Sequence, residues 1–66
     1  MNLQQISKKY GISDAYLNSK DDALMITVSS LVDVQSMVAG NQPKEQIKNR
    51  IQYLIDFITE VKNSSI

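Results

Sequence analysis

Two apolar stripes of helical period, joined by Gly40-Asn41-Gln42-Pro43, constrain this chain more than any other feature. Leu24, Val28, Leu31 and Val38 form the first, and Gln35 takes the open seam position between the last two. Ile47, Ile51, Leu54, Ile58 and Val61 form the second, in alternating steps of four and three. Apolar residues at this spacing line one side of an α-helix. The first segment is rich in β-branched residues (Ile26, Thr27, Val28, Val32, Val34), which also suit a strand. Yet it runs from Lys20 to Ala39 without Gly or Pro, several times the usual strand length of about 5–6 residues. The spacing therefore predicts a helix.

Punctuation supports two long helices. Gly40 fits the residue just past a helix end, and Pro43 fits the first turn of the next helix. Gln42 as cap, with Glu45 three positions on, is a capping-box variant. The second helix should run from Pro43 to about Lys62, ahead of Asn63-Ser64-Ser65. Each helix would be about 30 Å long at ~1.5 Å per residue. Equal length and a short connection predict an antiparallel hairpin, packed near about +20°.

Residues 1–19 read as a helical corner beside this hairpin, which takes residues 20–63; together they make one domain over 1–66. Asn2 can cap a short helix, with Gln5 at its third position. Leu3, Ile6 and Tyr10 share a face of that helix, and Gly11 can end it in a left-handed conformation. Ser13 suits the cap of a second short turn, Asp14 to Asn18, which contributes Tyr16 and Leu17. Ser19 can cap the long helix, whose first turn carries Asp21 and Asp22, favourable to the helix dipole.

Within residues 3–20, the run Ile6-Ser7-Lys8-Lys9-Tyr10-Gly11-Ile12-Ser13-Asp14-Ala15-Tyr16-Leu17 resembles the helix-turn-helix segment of DNA-binding repressors. A small residue, Ser7, stands four before the turn glycine, and Ile12 and Leu17 occupy buried positions. The resemblance implies a dimeric DNA-binding regulator touching DNA through Lys8, Lys9, Asn18, Ser19 and Lys20. The chain departs from the motif where Lys20-Asp21-Asp22 replaces a buried apolar residue, and where Asp14 would face phosphate. The other reading is a corner of the same shape that only caps the hairpin.

Composition removes most chemistry. There is no Cys and no His, so disulfides, thiolate sites and the commonest metal ligand and general base are missing. Asp56 and Glu60 stand one turn apart, but two carboxylates on one helix face are not opposed across a cleft. The only glycines, Gly11 and Gly40, are too far apart for a phosphate loop. We expect no enzyme, no metal, no cofactor and no small-molecule substrate. Seven basic residues balance seven acidic ones, so general attraction to nucleic acid is weak. No unbroken apolar run approaches the ~18 residues of a membrane span. The expectation is a cytoplasmic protein without a membrane segment.

What remains is apolar surface. A chain of 66 residues buries only about 60% of its unfolded surface and is marginal alone. Apolar residues also lie off the two seams, at Ile26, Val34, Met37, Tyr53, Ile55 and Phe57, and one inner face cannot cover them all. The sequence thus predicts an all-α fold whose hairpin dimerises into a four-helix bundle or packs on a helical partner protein. The candidate interface is Leu24, Val28, Leu31, Met37, Val38, Arg50, Tyr53 and Phe57, with Met25 and Met37 flanking the first seam. For Tyr53 and Phe57 the alternative is a place in the core, beneath Leu3, Ile6 or Tyr10. The function that follows is a non-catalytic interaction module: an adaptor, co-chaperone or inhibitor.

Overall fold

A computed structural model describes residues 2–64, apart from the side chain of Asp14. All three regular helices lie where the stripes and caps place them. They are α1 (Leu3–Tyr10), α2 (Lys20–Ala39) and α3 (Lys44–Lys62), with a single 3₁₀ turn at Asp14–Tyr16. No strand occurs among the described residues, and the fold is all-α.

Local hydrogen bonds explain the boundaries. Asn2 and Gln5 form a complete capping box: the Gln5 N–H donates to Asn2 Oδ1, and the Asn2 N–H donates to Gln5 Oε1, each at 2.9 Å. Ser19 Oγ accepts from the Asp22 N–H at 3.2 Å, with Asp21 and Asp22 in the first turn of α2. At α3 the expected Gln42 cap is absent; Pro43 is the cap residue, and no side chain bonds there. Of the tail, Ser65 lies outside the described residues.

Two left-handed residues set the turns. Gly11 ends α1 at φ 67°. After α2, Gly40 stays at φ −83°, and Asn41 takes the positive φ of 54° instead. Asn tolerates this region better than other residues with a Cβ. A Cβ on Gly11 would meet nothing within 4 Å, so Gly11→Ala isolates the conformational cost. We expect a loss of about 1 kcal/mol in urea unfolding; an unchanged midpoint would sink this account of the turn.

The core sits where three helices meet. Leu3 and Ile6 of α1, Leu17 of the corner, Ala23 of α2, and Phe57 and Val61 of α3 form one buried cluster. α2 and α3 pack along each other, and α1 lies across the later turns of α3. The molecule measures 38 × 17 × 17 Å.

The seams differ from expectation, and the difference has a cause. On α3, Leu54 and Val61 are buried and Ile47 is half-buried, but Ile51 and Ile58 are exposed. α1 covers the Tyr53–Phe57 side of α3, which rotates the buried arc toward it. On α2 the inner face is Ala23, Ile26, Thr27, Ser30, Val34 and Met37. The expected stripe of Leu24, Val28, Leu31 and Val38 faces outward. Small side chains inside let α2 lie close against the bulky Leu54 and Phe57.

Candidate interaction surface

The side of the hairpin bearing α1 is closed by aromatic packing. Tyr10 meets Tyr53 and Phe57 edge-to-face, with ring centroids 5.1 and 5.5 Å apart. The Tyr53 hydroxyl donates to the Tyr10 carbonyl oxygen at 2.7 Å. Arg50 lies 5.4 Å from the Tyr53 ring centre and 3.6 Å from Asp33. Lys9 pairs with Glu60, so one carboxylate of the Asp56–Glu60 pair holds α1 to α3. Asp56 accepts from Gln52 Nε2 at 3.0 Å.

This corrects part of the expected interface. Phe57 is 1% exposed and cannot meet a partner; of its two readings, the structure takes the core one. Tyr53 is half-buried against Tyr10, and Arg50 is half-buried beside it. Met37 is half-buried on the inner side of α2. Phe57 thus belongs to the monomer's own core, and α1 partly covers Tyr53, while Arg50 and Met37 keep part of their surface open.

Tyr10 and Glu60 line one cleft with Lys9 and Asp56, and the pKa values of both are shifted. Desolvation first, and then the Glu60 carboxylate, push the Tyr10 hydroxyl up to about 12. The Lys9 ammonium first, and then the Tyr10 hydroxyl, hold Glu60 below its ordinary 4.5. A raised tyrosine contributes stability below pH 10 that is lost as pH climbs toward 12. A depressed carboxylate contributes stability above its ordinary range that is lost as pH falls through its lowered pKa. We expect Tyr10→Phe to flatten the alkaline limb of melting temperature against pH. Identical alkaline limbs for the two proteins would count against a desolvated Tyr10 hydroxyl.

On the opposite side no described residue covers the hairpin. Leu24, Val28, Leu31 and Val38 are each more than half exposed, and so is Val32. From α3, Ile51, Ile55 and Ile58 are 41%, 50% and 44% exposed. A groove between the two helices, lined by Leu24, Thr27, Ile58 and Val61, joins the two stripes into one surface. Lys20 and Lys62 flank that groove at one end, and Lys44 and Lys48 stand beside Ile47 and Ile51 near the turn. Ile51 and Ile58 were expected on the buried seam, and Ile55, though counted in the apolar surplus, was not placed at the interface. The signal that could have found them was the surplus of apolar positions on α3, beyond what one seam needs.

The residues implied by the helix-turn-helix resemblance are dispersed. The second helix of that motif is here a single turn, Asp14–Tyr16. Asn18 lies near Asn2 and Leu3, at the start of α1, whereas Lys8 and Lys9 are in its last turn. Asn18 is committed locally, its N–H donating to Asp22 Oδ2 at 2.9 Å and its side chain to the Ala15 carbonyl oxygen at 3.1 Å. Ser19 caps α2, Lys9 pairs with Glu60, and Lys20 flanks the apolar groove.

By length and composition, α2 is long and apolar enough to cross a membrane, with 11% of its apolar window buried. The sequence expectation counted only unbroken apolar runs and overlooked this, because polar residues such as Asp33 interrupt the helix. Among the described residues, the fold and surface define a small all-α protein with an uncovered apolar face. No protein-family model matches the chain, and no characterised protein or solved structure shows significant similarity to it.

Proposed function

We propose that this chain is a cytoplasmic, non-catalytic interaction module that works by packing helices: an adaptor, co-chaperone or inhibitor. One observation carries the reading. The only fully buried residues of α2 are the small Ala23 and Ser30, with Ile26, Val34 and Met37 half-buried beside them, while Leu24, Val28, Leu31 and Val38 stay more than half exposed. A helix that served only its own monomer would gain more by the reverse arrangement. An exposed apolar face on this scale marks an association site. The alternative, a DNA-binding regulator using Lys8 and Lys9, has only the α1 corner in its favour.

Leu31→Glu with Ile58→Glu tests the proposal, since both side chains are exposed and their replacement leaves the core intact. We expect unchanged helical circular dichroism and loss of self-association and of partner capture. Retained binding would remove the apolar face from the mechanism. Lys8→Glu with Lys9→Glu addresses the alternative: loss of a steeply salt-dependent DNA affinity, with association intact, would favour it.

A further inference from the structure

The uncovered face carries a charge pattern that selects its occupant. Residues seven apart lie almost in line on a helix. The outer edge of α2 is therefore the row Asp21–Val28–Gln35, and the outer edge of α3 is the row Lys48–Ile55–Lys62. Inside these edges run Leu24–Leu31–Val38 on α2 and Ile51–Ile58 on α3. Because the helices are antiparallel across a short turn, Asp21 is level with Lys62, Val28 with Ile55, and Gln35 with Lys48. Each level thus pairs opposite charges, two apolar residues, or an amide with a cation, but on opposite edges of one hairpin.

We propose that a second copy of this chain covers the face, related by a two-fold axis along the hairpin, so that both turns lie at the same end. The inference rests on the interaction reading above and names its partner. This operation brings α2 over α3 of the partner subunit without changing levels. Asp21 then meets Lys62 of the partner subunit, Val28 meets the partner's Ile55, and Gln35 meets the partner's Lys48. Leu24 and Leu31 meet Ile58 and Ile51 of the partner subunit. Near the turn, Lys44 and Lys48 approach the C-terminal end of the other copy's α2, which has no basic residue in its last turn to offset its dipole.

The other two-fold, with turns at opposite ends, stacks α3 on α3. It sets Lys44 against Lys62 of the partner subunit and brings Asp21 to the negative end of the opposing α2. Both contacts are repulsive, whereas the first arrangement brings Lys20 near Lys62 of the partner subunit with Asp21 alongside to offset it. The size of the face also suits a second copy. A stable dimer buries about 800 Å² on each partner, and a face about as long as this 38 Å molecule and 17 Å wide is of that order. A lipid surface is the competing occupant, because lysines flank the face. Asp21 on its rim and the absence of a tryptophan anchor weigh against it.

The absence of cysteine from the chain makes the test clean. Asp21→Cys chains are mixed with Lys62→Cys chains and treated with a short bismaleimide. We expect a mixed covalent dimer, and little product from either variant alone. Coupling of Lys44→Cys with Lys62→Cys chains instead would overturn the arrangement while leaving the interaction reading intact. A monomer in sedimentation that retains a helical protein partner would overturn the second copy alone. A monomer that binds phosphatidylglycerol vesicles, or one that binds nothing, would overturn both.

Discussion

Phe57→Ala is expected to leave most of the chain unfolded at 25 °C and low concentration. Phe57 is 1% exposed, touches the Tyr10 ring, and belongs to the one buried cluster that joins all three helices. Truncating a buried phenylalanine costs about 3–5 kcal/mol, from lost transfer energy and from the cavity left behind. A core of this size supplies little more than about 3–5 kcal/mol in total. Far-ultraviolet circular dichroism should show the loss directly. Ile55→Ala, two residues away but half exposed, is the control and should cost well under half as much. Equal effects at the two positions would mean that the cluster is not where stability resides.

The second large effect is a melting temperature that depends on protein concentration. If the outward stripes of α2 and α3 are buried by association, each tenfold rise in concentration adds ~1.4 kcal/mol per dimer. Spread over two chains of this length, that corresponds to a rise of about 3–6 °C. Leu31→Glu with Ile58→Glu should abolish the dependence and lower the melting temperature at high concentration. A melting temperature constant over a hundredfold dilution would show that the apolar face stays open to water, and the interaction reading would lose its main support.

Much of the fold is written locally. The capping box at Asn2, the Ser19 cap and the left-handed Gly11 each depend on a few neighbouring residues, so sequence reasoning reaches them. The direction in which α2 faces does not. Its polar residues, such as Ser29, Asp33 and Ser36, occupy a narrow arc, and apolar residues fill most of the rest. Periodicity therefore offers two seams of similar quality. The choice falls to Ala23 and Ser30, whose small size matters only because bulky Leu54 and Phe57 stand opposite. On α3, Ile51 and Ile58 satisfy the period as well as Phe57 does. Tyr10 decides between them, from more than forty positions away in the chain. The candidate surface was legible as a surplus of apolar residues, and its membership depended on where α1 docks.

That docking also imposes an order on the protein's birth. α1 leaves the ribosome before the segment that receives it, Tyr53 to Val61, which follows more than forty positions later in the chain. Synthesis runs at about 5–20 residues per second, so α1 spends several seconds without its site. During that interval α2 emerges with both of its apolar sides bare. The core can close only once α3 has been made, and the growing chain is most exposed to aggregation and to chaperones just before then.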